Sequence, residues 1–303
     1  MRFCRFGDQR LGLVEGDTVR DVTAALEVLP CCYSYPLPTH DVLIANLDQV
    51  AERARALAPT APSLPLAGLK LLSPVANPGK IVAAPVNYQK HAQEVKDNVA
   101  LHNNNPALMQ SIHTIGLFLK ATSSLTGPGD GIRLRKPDRR NDHEVELAFV
   151  IGKQASNIPR SEALGYVAGY SIGLDITIRG TEDRSFRKSP DSYSVLGPWL
   201  VTRDEIDNPG NLDLGISVNG EVRQKSNTNN MILGVAELIE LASSFYTLYP
   251  GDIFMTGTPE GVSQIVPGDV VVATVEKVGT MQVVVRTEQS AVTEPPPKEA
   301  VIG

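Results

Sequence analysis

The segment Asp142-His143-Glu144-Val145-Glu146-Leu147-Ala148-Phe149-Val150-Ile151-Gly152 constrains this chain more than any other. Beyond Glu146 the run is apolar on both faces, the pattern of a strand buried on both sides. Side chains alternate along a strand, so Glu144 and Glu146 face the same way. Two carboxylates side by side at the mouth of such a strand repel each other and are costly to desolvate. Either the strand end emerges into water, or something positive compensates. A hard cation held by oxygen atoms is the simplest such partner, meaning Mg²⁺, Mn²⁺ or Ca²⁺. A third acid strengthens the second alternative. Gly169-Tyr170-Ser171-Ile172-Gly173-Leu174-Asp175 is another strand-like run that ends in a carboxylate, and a neighbouring strand can bring Asp175 to the same point.

With 303 residues, the chain can hold one large core, or a large core plus a small appended domain. Short strands are expected at 2–6, 11–15 and 18–22, with Gly7-Asp8 and Gly16-Asp17 at the turns. Amphipathic stretches follow at 23–28 and 40–57. Pro59, Pro62 and Pro65 read as a linker closing a small N-terminal domain of residues 1–67. The body, residues 68–288, mixes strands and a few helices without regular βαβα alternation, which disfavours a doubly wound sheet. Asn219-Gly220 predicts a tight hairpin, because both central residues of a type I′ turn need positive φ. Ile232, Val235, Leu238, Ile239 and Ala242 recur at helical spacing. Closing strands are expected at 270–275 and 281–285. Residues 289–303, with Pro295-Pro296-Pro297, are expected to form a flexible tail.

The formal net charge of −6 argues against nucleic acid or an anionic membrane as the main partner, because both need clustered Lys and Arg. The local basic run from Arg133 to Arg140 is explained more simply by a solvated turn. No apolar stretch is long enough to span a bilayer, and the first residues lack the apolar region of a signal peptide. Cytoplasm is therefore the expected location. Cys4, Cys31 and Cys32, an odd count with two adjacent, do not make a disulfide framework. Gly169-Tyr170-Ser171-Ile172-Gly173 matches the nucleophile elbow of serine hydrolases, but none of the five histidines follows Ser171, as that fold requires. Gly127-Pro128-Gly129-Asp130-Gly131 lacks the Gly-Lys-Ser/Thr of a phosphate-binding loop and reads as a turn.

Asn87-Tyr88-Gln89-Lys90-His91-Ala92-Gln93-Glu94 reads as a helix start with Asn87 as N-cap. His91 and Glu94 are three apart and share a face. A Glu beside a His can orient the ring for general-base work. An exposed helix face carrying one His and one Glu is common, and on these residues alone it is the preferred reading.

Taken together, these residues resemble the fumarylacetoacetate hydrolase family. The shared elements are Asn87-Tyr88-x-x-His91-x-x-Glu94, Glu144-x-Glu146, Asp175-x-x-x-Arg179, Lys188-x-x-Asp191, Gly197-Pro198-Trp199, Val218-Asn219-Gly220-Glu221, and the run from Gly251-Asp252 to Gly257-Thr258-Pro259. They occur in the family's order and cover residues 68–286. The resemblance implies an α+β fold, a mixed β-roll preceded by a small N-terminal α/β domain and usually dimeric. It implies Glu144, Glu146 and Asp175 as ligands of Mg²⁺ or Mn²⁺, and His91 and Glu94 as catalytic residues on a lid, with Lys188 the active-site lysine. Tyr88, Arg179 and Thr258 are implied substrate contacts, Thr258 toward the substrate carboxylate.

The chain departs from the family pattern in a short loop between Asp175 and Lys188, in Pro190, and in a long polar segment after Glu94 that is expected to extend the lid. The activity implied is metal-dependent hydrolysis of the C–C bond of an acylpyruvate such as maleylpyruvate or fumarylpyruvate, releasing pyruvate in aromatic degradation. A decarboxylase or isomerase of a 2-oxo or 2-hydroxy-dienoic diacid, of the oxaloacetate or homoprotocatechuate type, is the alternative. A 2-oxo-acid-binding protein without turnover is a third reading, disfavoured by His91, Glu94 and Lys188.

Overall fold

The computed structural model describes residues 1–30, 35–102 and 106–287. Cys31, Cys32, the Asn103–Asn105 run and the expected tail lie outside the described residues. The fold is α+β and sheet-rich, with few helices. Its spine is an antiparallel trio, Val145–Ile151, Val167–Asp175 and Ser194–Thr202, at the middle of a twelve-stranded sheet. All seven residues of Val145–Ile151 are buried, as a doubly apolar run demands. Alternation splits them: Val145, Leu147, Phe149 and Ile151 enter the larger core, whereas Ala148 and Val150 enter the smaller one, on the face that carries Glu144 and Glu146. Phe149 stacks on Phe254 of the neighbouring Ile253–Met255 strand at 4.6 Å, a contact worth about 1 kcal/mol beyond its buried area.

The N-terminal strands Arg2–Phe6, Arg10–Glu15 and Thr18–Asp21 join this sheet, because Arg2 and Phe3 pair with Val201 and Leu200. The proline-rich segment is more than a linker. Ser63–Pro65 pairs with Thr18–Asp21 at the sheet edge, a place where proline's missing donor costs nothing. The 40–57 stretch is two helices, Val42–Ala45 and Leu47–Leu57, and the 23–28 stretch is a 3₁₀ helix. A five-stranded sheet packs beside the spine, and its Asp213–Val218/Glu221–Asn227 hairpin turns at Asn219 and Gly220, both with positive φ. The predicted amphipathic helix runs over Val235–Phe245 and buries Val235, Leu238, Ile239 and Ala242.

Ser171 sits mid-strand, fully buried, with its hydroxyl within 3.0 Å of the Gly197 carbonyl and 2.9 Å of the Trp199 carbonyl. It is a strand residue and not a nucleophile elbow. Gly169 permits close packing there, since a Cβ would stand 2.3 Å from the Val201 carbonyl oxygen.

Asn87 is not the helix cap. The Gln89–Asp97 helix follows Tyr88, and no side chain caps it. The Asn87 amide instead donates to the Leu233 and Thr256 carbonyls and accepts from the Leu233 N–H, each at 2.8 Å. It thereby ties the root of the Gln89–Asp97 helix to two other segments. Asn87→Ala leaves three buried backbone groups without partners, so a loss on the order of 3 kcal/mol or more is expected by denaturant unfolding. A loss below about 1 kcal/mol would show that this brace is not needed.

Candidate active site

Three carboxylates meet where the central strands open onto a cavity. Glu144 and Asp175 lie opposite each other across the strand pair, joined by the Asp175 N–H to the Glu144 carbonyl at 3.0 Å. Glu146 follows on the same face, across from Gly173. Carboxylate oxygens of the three lie within 4.8 Å of one another, and all three residues are buried. Like charges directly across a strand pair destabilise it, so cations must answer them.

Lys188 Nζ donates to Glu144 Oε2 and Asp175 Oδ2, both at 2.6 Å. Arg179 donates to Glu144 Oε1 at 3.0 Å and to Asp142 Oδ2 at 2.7 Å, while Arg140 holds the other Asp142 oxygen at 2.8 Å. Lys120, on the short Phe118–Lys120 strand, donates to Asp175 Oδ1 and to the Tyr193 carbonyl. No cation pairs with Glu146 among the described residues. Among the described residues its hydrogen-bond partner is the Gly257 N–H, at 2.6 Å from Oε2. Gly257 must be glycine here: its φ is +92°, and a Cβ would stand 2.7 Å from that of Asn87.

These surroundings split the two glutamates. Burial alone would raise the Glu144 carboxyl, but the charges of Lys188 and Arg179 outweigh it and hold Glu144 below the usual carboxylate range. Burial and then the charge of Asp175 push Glu146 well above that range. Burial likewise pulls Lys120 down, against the charge of Asp175. Three clustered oxygen donors, one of them uncompensated by any side chain, are the donor chemistry that Mg²⁺ or Mn²⁺ takes. The residues present therefore fit a divalent ion.

The helical pair is a real contact. His91 Nδ1 lies 2.8 Å from Glu94 Oε2, and Glu94 Oε1 accepts from the Gly261 N–H at 3.0 Å. His91 lines the cavity together with Glu144, Glu146, Arg179, Lys188 and Thr258. Beyond Glu94, Val95 and Leu101 pack on Val262, so the lid segment is seated by a small apolar cluster.

Thr258 reaches the cavity, but its hydroxyl is committed: it donates to the Val145 carbonyl at 2.8 Å and accepts from Gln224 at 2.9 Å. Tyr88 is fully buried and is not among the residues lining the cavity. Its hydroxyl has no partner, and burial followed by the charge of Glu146 pushes its ionisation far above the usual value. Sequence reasoning missed Lys120, Gln224, Arg184 and Arg187. The last two flank Lys188 in Arg184-Ser185-Phe186-Arg187-Lys188, a basic run dense enough to have been noticed.

A family model described as "Fumarylacetoacetate (FAA) hydrolase C-terminal" matches residues 80–286. The chain is 59% identical to the maleylpyruvate hydrolase of Aquipseudomonas alcaligenes over 287 residues, covering 95% of this chain and 100% of that one. Its fold matches the crystal structure of maleylpyruvate hydrolase from Sphingobium sp. SYK-6 in complex with manganese(II) and pyruvate. That match has a TM-score of 0.80 and 37% identity, over 95% of this chain and 99% of that one. A probable 2-hydroxyhepta-2,4-diene-1,7-dioate isomerase from Mycobacterium abscessus matches at a TM-score of 0.73 and 30% identity, over 95% and 98% of the two chains.

Proposed function

This chain belongs to the fumarylacetoacetate hydrolase family, and from that premise we propose that it is a divalent-metal-dependent hydrolase that cleaves the C–C bond of an acylpyruvate, foremost maleylpyruvate, in aromatic degradation. The observation that carries the reading is one cavity lined by both the Glu144–Glu146 pair and His91, with Asp175 at its back. Glu144, Glu146 and Asp175 would hold Mn²⁺ or Mg²⁺. Such an ion would supply positive charge for the oxygens of a 2-oxo acid and for the enolate charge that develops as the bond breaks.

The chain's own residues supply the rest. Glu94, fixed by the Gly261 N–H, accepts the hydrogen bond of His91 Nδ1–H and sets the ring's tautomer. The other ring nitrogen then takes a proton from water, and the hydroxide oxygen bonds to the 4-carbonyl carbon. The bond between carbons 3 and 4 breaks, the acyl part leaves as a carboxylate, and the pyruvate carbon takes a proton. Lys188, bonded to Glu144 and Asp175 in the same cavity, assists charge stabilisation or the return of that proton. Arg179 holds Glu144 in place, and Thr258 lines the binding surface. The cavity is narrow, about 40 Å³, and outward movement of the Gln89–Asp97 helix, which carries His91, would widen it for such a diacid.

Decarboxylation or isomerisation needs the same electron sink but no attacking water, and the aligned His91–Glu94 pair favours hydrolysis over it. The same site would take fumarylpyruvate. A homodimer in the cytoplasm completes the proposal; no helix among the described residues is long and apolar enough to cross a membrane.

His91→Ala should cut turnover about a hundred- to ten-thousand-fold while leaving Mn²⁺ binding intact. Unchanged turnover would remove His91 from the mechanism. The reading as a whole is tested by offering maleylpyruvate, fumarylpyruvate, acetylpyruvate and oxaloacetate with Mn²⁺, Mg²⁺ or chelator. Metal-dependent release of pyruvate from the acylpyruvates is expected. Turnover of oxaloacetate alone would favour the decarboxylase or isomerase reading.

A further inference from the structure

The short Arg184–Arg187 helix and the Lys188 that caps it place Arg184, Arg187 and Lys188 at i, i+3 and i+4, on one face, and all three line the cavity. Three like charges at this spacing repel one another. Lys188 is compensated by Glu144 and Asp175. The other two have no such ion pair among the described residues. Arg184 lies over the Phe118 ring and has no carboxylate partner. Arg187 is only 4% exposed, yet the sole hydrogen bond of its guanidinium among the described residues is a long one, 3.4 Å, to the Ile178 carbonyl. Its Nε is buried with no hydrogen-bond partner among the described residues.

No carboxylate pairs with Arg187 among the described residues, although Glu144 and Asp175 lie near enough to act on its charge. Both oxygens of Asp142, Glu144 and Asp175 are taken by Arg140, Arg179, Lys188 and Lys120. Burial, and then the neighbouring charge of Arg179, pull Arg187 down to about 10, which leaves it charged at neutral pH. A buried guanidinium without an anion is costly, and structures keep one where an anion arrives. A planar guanidinium with free donors takes a carboxylate in two-point fashion.

We propose that Arg187, supported by Arg184, binds the second carboxylate of the substrate, the one remote from the 2-oxo acid end, and so selects dicarboxylic acylpyruvates over neutral-tailed ones. The assignment rests on the hydrolase reading above. It gives the cavity two separate anchors: the carboxylate trio for the pyruvate end and the arginine pair for the acyl end. It also gives a reason for a buried guanidinium that no carboxylate pairs among the described residues.

The test compares kcat/KM for maleylpyruvate with that for acetylpyruvate, which has the same dioxo acid end and a methyl tail. Wild type, Arg187→Met, Arg187→Lys and Arg184→Gln are measured with saturating Mn²⁺. Arg187→Met should lose about a hundredfold or more on maleylpyruvate and less than about fivefold on acetylpyruvate. Arg187→Lys should recover part of the loss, and Arg184→Gln should show a smaller selective loss. Because the arginine is unpaired, the Met variant should unfold at the same temperature as wild type or higher, and bind Mn²⁺ equally well. Equal losses on both substrates, or none, with wild type active, would overturn the assignment and leave the hydrolase reading standing. A wild-type protein inactive on both substrates would overturn the hydrolase reading and this inference with it.

Discussion

Lys188→Met should leave the metal-free protein about 3–5 kcal/mol less stable, and Mn²⁺ should restore much of that loss while turnover stays near zero. The Lys188 ammonium touches two buried carboxylates at 2.6 Å each and is itself buried. Removing one partner of a buried ionic cluster leaves uncompensated charge behind, which costs far more than the pair's net worth. A dication held by Glu144, Glu146 and Asp175 would supply the missing positive charge and bind the folded state alone, so stability should rise with free Mn²⁺. Turnover does not follow stability back, because the lysine's place beside the reacting charge is empty. Urea unfolding with and without Mn²⁺ measures the first effect, and pyruvate release the second. A variant as stable as wild type without metal would mean that Lys188 is not what neutralises the pair.

Glu146→Gln should have the opposite effect on the metal-free fold. Glu146 is the one member of the trio that no cation touches, and burial with the charge of Asp175 raises its ionisation well above the usual range. A group raised on folding contributes stability that is complete below its unfolded value and lost as pH rises through its folded one. In the metal-free protein, Glu146 is thus a growing liability from the ordinary carboxylate range upward. A bound dication reverses the sign, because it wants the carboxylate ionised.

Two results follow for Glu146. In wild type, the rise in melting temperature caused by Mn²⁺ should be larger at about pH 8 than at about pH 5. Glu146→Gln should remove most of that difference, melt no lower than wild type without metal, and weaken Mn²⁺ binding by about a hundredfold or more, with turnover falling at least as far. Thermal scans at the two pH values, with and without Mn²⁺, decide the matter. A metal increment independent of pH in wild type would contradict this account of Glu146.

The parts of this protein legible in the sequence are those governed by local periodicity. Alternation placed Glu144 and Glu146 on one face, helical spacing put His91 beside Glu94, and Asn219-Gly220 announced its hairpin. Irregular element order disfavoured a doubly wound sheet, and the α+β class came from the family resemblance. What escaped depends on contacts between segments far apart in the chain. Lys120 reaches Asp175 from 55 residues away, and Gln224 reaches Thr258 and Pro259 from a different hairpin. Asn87 looked like a helix cap because its neighbours are helical, yet its amide is spent on Leu233 and Thr256. Ser63–Pro65 looked like linker because proline is a poor strand former, but an edge position removes that objection. Arg187 is a different failure: its position was visible, but only burial shows that it lacks a partner.

The account stands on Glu144, Glu146 and Asp175 jointly holding one catalytic dication. The most direct test is an anomalous-scattering map from crystals grown with Mn²⁺. A single manganese peak ligated by an oxygen from each of the three carboxylates is the predicted result, with Lys188 moved off at least one of them. Manganese bound elsewhere, or absent at concentrations that support turnover, would contradict the account.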